Sequence, residues 1–131
     1  MQGLHLTADL YRCGAHRALL TDALVLAAAC RTRTLGAGLT VVGETWHRFA
    51  GRQGQPGGVT GVLLLAESHV AVHTWPERAG VTLDVYVCNV EADNSAAAEA
   101  LMRSLIEAFA PQQVQRQALR RGEMGPSAAG P

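Results

Sequence analysis

The strongest constraint on the fold comes from three strand-like runs that follow one another closely in the middle of the chain. They cover residues 59–66, 70–75 and 81–88 and are rich in valine, with aromatic side chains in the second and third. β-branched and aromatic residues favour extended strands. Only residues 67–69 separate the first two runs, and residues 76–80 separate the next pair. Connections this short join antiparallel neighbours, so the sequence predicts an antiparallel sheet at the centre of the fold.

Two further strands and a helix are predicted before this centre. Apolar and polar residues alternate over residues 4–11, which is typical of a half-buried strand. Residues 23–35 are rich in alanine and leucine and predict a helix, with Thr21 as its N-cap. Residues 39–49 return to β-branched and aromatic side chains and predict a second strand. The glycine-rich residues 50–58 are expected to form a loop.

A second helix and a last strand are predicted after it. Asp93 or Asn94 can cap the helix, and Pro111 blocks its continuation. Residues 112–119 then favour an edge strand. The helix carries an apolar stripe at helical spacing, formed by Ala98, Leu101, Met102, Leu105 and Phe109. This order predicts an α+β fold: a two-layer sandwich with a mostly antiparallel sheet and two helices on one face.

The sheet face away from the helices carries the reactive side chains. Residues on alternate positions of a strand point to opposite faces, and valines and a leucine occupy the helix-facing positions. The opposite positions hold His69, Ala71, His73 and Trp75 on one strand and Thr82, Asp84, Tyr86 and Cys88 on the next. This mixture suits neither an ordinary core nor a wet surface. We expect this face to form the functional site and the contact with a second copy of the chain.

Length and charge exclude several classes of protein. The 131 residues fit one domain, which we place at residues 1–119 with a flexible C-terminal tail at 120–131. Eleven basic and eleven acidic side chains cancel, which gives no indication of a nucleic-acid partner. The most apolar helical stretch, residues 23–30, is too short to cross a membrane.

The cysteines and the N-terminus indicate a reduced compartment. Cys13, Cys30 and Cys88 are an odd number without a Cys-x-x-Cys pair, which does not suit a disulfide scaffold or a structural zinc site. The first residues have neither a charged segment nor a long apolar run, so no signal peptide is expected. We therefore expect a cytoplasmic protein.

The most specific pattern is an ordered set of motifs around the central hairpin. Glu67-Ser68-His69 is followed by His73-Thr74-Trp75-Pro76-Glu77 and then by Cys88 at the end of the next predicted strand. Upstream stand Trp46-His47-Arg48-Phe49 and Gly58-Val59-Thr60-Gly61. Over residues 4–119 the chain resembles the short prokaryotic S-adenosylmethionine decarboxylases, a pyruvoyl-dependent family.

The resemblance implies a proenzyme that cleaves itself between Glu67 and Ser68. The products would be a β chain of residues 1–67 and an α chain of residues 68–131, with Ser68 converted into a covalent pyruvoyl group that forms a Schiff base with the substrate. That group, a covalently bound pyruvate derived from Ser68, would be the cofactor. The chain contains no lysine, which removes the usual pyridoxal-phosphate mechanism. The implied reaction converts S-adenosylmethionine into its decarboxylated form for spermidine biosynthesis, in a homodimer of αβ units.

The resemblance also assigns roles to individual side chains. His73 would move protons during processing, and Cys88 would return a proton to the carbon that lost carboxylate. Phe49 would stack on adenine and Glu77 would bind the ribose hydroxyls. Thr60 stands where the family usually has a serine that assists processing.

Two other features depart from the family pattern. Asn89 follows the cysteine where glycine is common, so the turn there can differ. The loop at residues 52–58 is longer than expected, and together with the extra methyl group of Thr60 it leaves the speed of processing open.

Several alternatives remain open. A pyruvoyl enzyme could decarboxylate another amino acid such as arginine or ornithine, although Phe49 and Glu77 favour a nucleoside substrate. An unprocessed paralogue could act as a regulatory subunit, although Ser68, His73 and Cys88 are all present. His69 and His73 share a strand face and could also resemble a metal-binding pair, but no third ligand is evident and no metal site is expected.

Overall fold

The structure is a computed structural model that describes residues 2–122. It contains one six-stranded sheet with helices packed on one face, which confirms the α+β prediction. Every neighbouring pair of strands is antiparallel, in the order β2-β3-β4-β5-β1-β6. The elements are β1 Gly3–Cys13, α1 Ala18–Thr21, α2 Ala23–Gly36, β2 Val41–Arg48, β3 Val59–Leu65, β4 Ser68–Trp75, β5 Gly80–Cys88, α3 Ser95–Phe109 and β6 Pro111–Arg121.

The core lies between the sheet and helices α2 and α3. The predicted apolar stripe of α3 is buried at all five positions: Ala98, Leu101, Met102, Leu105 and Phe109. On the sheet the helix-facing valines and leucines of β4 and β5 are buried against it, as the alternation predicts. Burial of each large side chain stabilises the fold by about 1.5–3 kcal/mol relative to its exposure. The layer of helices therefore holds the sheet in place and leaves the opposite face available.

The start of helix α2 differs from the prediction by one residue. Asp22, not Thr21, is the N-cap: its carboxylate accepts hydrogen bonds from the backbone N–H groups of Leu24 (2.9 Å) and Val25 (3.3 Å). Thr21 ends the short helix α1, which the sequence did not indicate, and its hydroxyl donates to the Arg17 carbonyl at 3.1 Å. An aspartate at this position suits the positive end of the helix dipole.

The second helix and the last strand follow the prediction closely. Asn94 holds the N-cap position of α3, but the Asp93 carboxylate makes the capping hydrogen bond, to the Ser95 N–H at 2.9 Å. Strand β6 continues to Arg121, two residues into the segment expected to be a tail. The rest of that segment, apart from residue 122, lies outside the described residues. β6 is an edge strand that pairs with β1.

The central hairpin is tighter than expected. β4 begins at Ser68, which pairs with Leu65, so only Ala66 and Glu67 form the turn. Glu67 has a positive φ of 56°, a region that costs a residue with a side chain about 1–2 kcal/mol. Ser68 has the same position in the strand alternation as Val70, but it is the first residue of β4 and is only half-buried, so the helix layer does not enclose its side chain.

Candidate active site

A pocket of about 810 Å³ opens at one end of the sheet, where the loop at residues 50–58 meets the end of β4. Four of the seven predicted site residues line it: Phe49, Thr60, His73 and Glu77. They come from the end of β2, from β3, from β4 and from the turn after β4. The structure thus brings together one part of the predicted site in a cavity large enough for a nucleoside.

A threonine–histidine hydrogen bond forms part of the wall of this pocket. Thr60 on β3 and His73 on β4 are directly opposite each other in the strand register. Thr60 Oγ1 lies 2.9 Å from His73 Nδ1, and the His73 ring stacks on Trp75 with 6.0 Å between ring centroids. These two contacts fix the imidazole in one orientation. A histidine held in this way can accept and return a proton at a defined place.

Phe49 presents its ring to the pocket from the end of β2. Its side chain is 50% exposed and meets His47 edge to face, with ring centroids 4.5 Å apart. Its backbone N–H donates to the Gly58 carbonyl at 2.9 Å, which ties the two ends of the loop together. Gly58 passes so close to the Thr74 carbonyl that any side chain there would collide with it. The loop can therefore close over the pocket only with glycine at this position.

Glu77 lies in a short 3-10 helix, Pro76–Arg78, directly after β4. It is exposed at the mouth of the pocket. Ala79 ends this turn with a positive φ of 49° and returns the chain into β5. An exposed carboxylate at this place can accept two hydrogen bonds from a diol.

Ser68 and Cys88 meet at the opposite end of the sheet. The backbone N–H of Cys88 donates to Ser68 Oγ at 3.1 Å. Cys88 is half-buried. The alternation of side chains along β5 puts it on the open face of the sheet, which is the face away from the helices. The serine hydroxyl is thus held between the hairpin and the end of β5, next to the Glu67 carbonyl in sequence.

Asn89 explains how the turn after the cysteine tolerates a residue other than glycine. Its carboxamide accepts a hydrogen bond from the Asn94 N–H at 2.8 Å and donates to Ser95 Oγ at 3.0 Å. Asn94 in turn donates to the Cys88 carbonyl at 2.9 Å. These contacts fix the end of β5 to the start of α3, and no sequence signal had indicated them.

The two groups of predicted residues are far apart within one chain. Ser68 and His73 lie on the same strand, five positions apart. A strand rises about 3.3 Å per residue, so their Cα atoms are separated by about 16 Å. Their side chains also differ in parity. A single copy therefore cannot place His73 next to the Ser68 hydroxyl.

A second cluster of polar rings lies on the open face near Ser68 and Cys88, and sequence reasoning did not identify it as a unit. His5 Nε2 and Asp84 Oδ1 are 2.9 Å apart, and His5 Nδ1 lies 3.4 Å from an Arg121 guanidinium nitrogen. The same guanidinium stands 5.8 Å from the centre of the Tyr86 ring. His69 lies against Tyr86, with centroids 5.6 Å apart.

The electrostatics of this cluster keep one histidine neutral. Burial is the largest cause that lowers the pKa of His69, and the nearby His5 and Arg121 lower it further. Asp84 acts in the opposite direction and raises it. The net effect is a pKa below the usual range, so the His69 ring is mainly uncharged at neutral pH.

The three cysteines differ in their surroundings. Cys30 is fully buried, and this burial raises its pKa to about 12. Burial also raises the pKa of Cys13. All three are free thiols, and Cys88 is the one on the open face with the other candidate residues. Buried thiols with raised pKa values are unreactive.

Within residues 2–122, no group of three or more histidine, cysteine, aspartate or glutamate side chains gathers as a metal ligand set. None of the described helices is long and apolar enough to span a membrane.

The fold and the site together define a class: a small α+β domain with the Glu67–Ser68 hairpin at one end of its sheet and a nucleoside-sized pocket at the other. The family model for S-adenosylmethionine decarboxylase matches residues 4–122, and the chain belongs to this family.

Individual relatives agree with this assignment. The chain is 38% identical to the S-adenosylmethionine decarboxylase proenzyme of Aquifex aeolicus, over 92% of this chain and 81% of that protein. It is 34% identical to the proenzyme of Archaeoglobus fulgidus (92% and 97% covered) and 34% identical to that of Thermotoga maritima (79% and 74%). The solved structure of the adenosylmethionine decarboxylase from Aquifex aeolicus is similar with a TM-score of 0.79 and 32% identity, covering 95% of this chain and 93% of that one.

Proposed function

We propose that this chain is a proenzyme that cleaves itself between Glu67 and Ser68 and then decarboxylates S-adenosylmethionine. The observation that carries the proposal is the position of Ser68 in a member of this family. It is the first residue of β4, it follows a residue with positive φ, and its hydroxyl is held by the Cys88 N–H. The relatives give no support to arginine or ornithine as the substrate, since those named above are S-adenosylmethionine decarboxylase proenzymes.

The cleavage uses only groups of the chain and water. Ser68 Oγ attacks the Glu67 carbonyl carbon, the C–N bond breaks, and the amide becomes an ester. Loss of a proton from the Ser68 α-carbon expels the Glu67 carboxylate and leaves a dehydroalanine. Addition of water and loss of ammonia convert it into a pyruvoyl group at the head of the α chain. A strained peptide at Glu67 favours the first of these steps.

The surroundings of Ser68 suit a pyruvoyl group. Cleavage would free the head of β4 at an exposed hairpin, while β4 remains paired with β3 and β5 on either side. When formed, the ketone would bind the substrate amine covalently and accept the electron pair released with carbon dioxide. Cys88 lies at the adjacent strand end and can supply the proton that replaces the carboxylate.

The pocket suits the adenosyl part of the substrate. Phe49 offers an exposed aromatic face on which adenine can stack, and Glu77 offers a carboxylate for the ribose hydroxyls. A free amino acid such as ornithine needs neither contact. The chemistry of the pocket therefore favours a nucleoside-bearing substrate, with the decarboxylated product available for spermidine biosynthesis.

The separation of the two groups supports a site that is shared between two copies of the chain. His73 assists processing only if it reaches a Ser68 hydroxyl, and the serine of its own chain is about 16 Å away. In a two-fold dimer with the open sheet faces together, the Thr60–His73 end of one copy can meet the Ser68–Cys88 end of the other. Such an isologous arrangement gives two equivalent sites. Exposed apolar side chains on this face, including Leu64 and Trp75, support the contact.

We also propose that the enzyme works in the cytoplasm, where free thiols persist.

An intact-mass spectrum of fresh protein tests the cleavage directly. We expect two fragments that meet between Glu67 and Ser68, with the second fragment bearing a ketone instead of an amino terminus. The same sample should release carbon dioxide from S-adenosylmethionine and not from ornithine or arginine. One unchanged full-length mass after long incubation would contradict the proposal and favour an unprocessed regulatory paralogue.

Mixed dimers test whether the site is shared between copies. The Ser68→Ala and His73→Ala chains should each stay largely uncleaved when made alone. Co-expressed, they can form a dimer with one complete site, which contains Ser68 of the His73→Ala chain and His73 of its partner. Cleavage of only the His73→Ala chain in the mixture is the expected result. If that chain stays intact in a verified heterodimer, the two residues do not act across the interface.

A further inference from the structure

The ring of His69 is held on the open face of the sheet, directly after Ser68 in sequence. It lies against Tyr86 and meets His5 edge-on, with 6.1 Å between the centroids of the two histidines. Tyr86 in turn lies close to Gly3, where a Cβ atom would stand only 2.7 Å from the tyrosine oxygen. The imidazole is therefore supported on two sides by rings whose own positions are fixed.

His69 also has uncommitted nitrogens, which it shares among the described histidines only with His47, whose ring packs on Phe49 at the pocket end of the sheet. Among the described residues His5 is bonded to Asp84, His73 to Thr60, and His16 to a backbone N–H, whereas neither ring nitrogen of His69 has a hydrogen-bond partner. A general base needs a free lone pair within reach of the proton it removes. His69 has that lone pair and stands next to the residue at which the substrate amine must react.

We propose that the His69 imidazole removes a proton from the α-ammonium group of the substrate. The proposal rests on the function proposed above, in which that amine reacts with the ketone derived from Ser68. An N–H bond of the ammonium breaks and an N–H bond forms on the imidazole, which leaves the amine with a free electron pair. The attacking nitrogen gives one of its remaining protons to the ketone oxygen and the imidazolium returns the other, so the oxygen leaves as water and no other reactant is needed.

The need for such a base follows from the charge state of the substrate. An α-amino group is mainly protonated at neutral pH and cannot attack a carbonyl carbon in that form. The groups that face His69 are His5, Asp84, Tyr86 and Arg121, which come from β1, β5 and β6. Apart from Asp84, the charged groups among them disfavour the protonated ring, as does burial. As pH falls through the lowered pKa, the ring becomes charged, can no longer accept a proton and repels the ammonium.

Binding to an uncleaved chain tests the proposal independently of turnover. The Ser68→Ala protein has no ketone, and its affinity for S-adenosylmethionine can be measured by calorimetry between about pH 5 and pH 8. We expect the affinity to fall about fivefold to tenfold towards the acid end, which is the effect of one nearby like charge in a partly solvated site. The Ser68→Ala, His69→Asn double variant should lose most of this pH dependence. Equal pH dependence in the two proteins would overturn the proposal.

Turnover by the cleaved His69→Asn protein gives the second measurement. We expect carbon dioxide release about 100-fold slower than wild type at neutral pH, the usual contribution of a positioned base. The difference in rate between His69→Asn and wild type should become smaller as pH rises, because the substrate amine then loses its proton to water. His16→Asn is the matched control and should behave as wild type, since His16 is exposed and contacts only the start of α1.

The outcomes separate the two proposals. If wild type cleaves and turns over but His69→Asn keeps the same rate and pH profile, His69 is not the base. If wild type neither cleaves nor releases carbon dioxide, the proposed function itself fails. If His69→Asn prevents cleavage, the binding comparison in the Ser68→Ala background still decides the question.

Discussion

Strand β4 carries the two halves of the proposed site at its two ends, and these ends are built differently. At the pocket end Thr60 and His73 meet side chain to side chain, and the loop is locked by glycine contacts. At the hairpin end the Ser68 hydroxyl is held by the backbone N–H of Cys88, and the turn residue Glu67 has a positive φ. The first end joins the ligand contacts of Phe49 and Glu77 to the histidine that assists processing across the dimer, and the second holds the peptide bond that is cleaved.

This difference means that cleavage and turnover should respond separately to mutation. A side chain at the hairpin end can be removed without loss of the backbone contact that holds Ser68. A ligand-contacting side chain at the pocket end, Phe49 or Glu77, can be removed without a change in the hairpin or in His73. Variants at each end, compared for both cleavage and turnover, therefore test whether the division is real.

The largest effect is expected for Ser68→Ala. Without the hydroxyl no nucleophile can attack the Glu67 carbonyl, so the chain should stay full length and release no carbon dioxide. Intact-mass spectrometry measures the first result and a radiolabelled-substrate assay the second. The protein should still fold, because Ser68 makes one hydrogen bond and contributes little to the core. Any cleavage between residues 67 and 68 in this variant would break the assignment of the hairpin end.

Cys88→Ala should separate the two activities. The contact to Ser68 comes from the backbone N–H of residue 88, which alanine retains, so cleavage should proceed at close to the wild-type rate. Turnover should fall by about 100-fold or more, since a positioned proton donor contributes a factor of about 10²–10⁴. Cys13→Ala is the matched control, with a half-buried thiol whose raised pKa makes it unreactive. Full turnover by the Cys88→Ala protein would rule out the proposed proton donor.

The sequence predicted local features of this molecule better than long-range ones. The strands around the central hairpin follow from alternation and short turns, and the buried stripe of α3 follows from helical spacing. The pairing of β1 with β5 and β6 depends on contacts between residues far apart in sequence, which no local pattern encodes. The cluster of His5, Asp84 and Arg121 is a consequence of that pairing and was therefore missed.

The motif also gave no information on the distance between its residues in the fold. The motif around Ser68 and His73 indicated two residues of one site, but spacing along a strand places them about 16 Å apart. Family resemblance gave the roles without the distance. The one-residue error at the N-cap of α2 has a local cause, since α1 had already used Thr21 to end its own turn.

Glu77→Gln tests the pocket end with a smaller expected effect. The amide keeps the shape of the side chain but accepts weaker hydrogen bonds from a diol than a carboxylate does. We expect kcat/KM for S-adenosylmethionine to fall about tenfold, mainly through KM, which corresponds to one charged hydrogen bond of about 1.5 kcal/mol. Cleavage should be unchanged. Glu99→Gln, which removes a surface carboxylate paired with Arg116, is the control.

The smallest effect is expected for Glu67→Gly at the hairpin end. A residue with a side chain loses about 1–2 kcal/mol at positive φ, whereas glycine adopts this conformation without strain. If that strain helps the Glu67 carbonyl to react, relief of it should slow cleavage by a factor of about 3–10. In the uncleavable Ser68→Ala background the same change should raise the free energy of unfolding by less than about 1 kcal/mol, because glycine also makes the unfolded chain more flexible. Quenched time courses and denaturant unfolding measure the two quantities.

Two control variants decide whether strain is the cause. Glu67→Gln keeps the strained backbone and removes only the charge, so it should cleave like wild type. Ala110→Gly relieves a similar positive φ of 47° at the end of α3, away from the hairpin, and should stabilise the fold without an effect on cleavage. Slow cleavage in Glu67→Gln would show that the carboxylate itself takes part. Unchanged cleavage in Glu67→Gly would show that the hairpin end relies on the Ser68 contacts alone, and the contrast between the two ends of β4 would then lie in their contacts rather than in backbone strain.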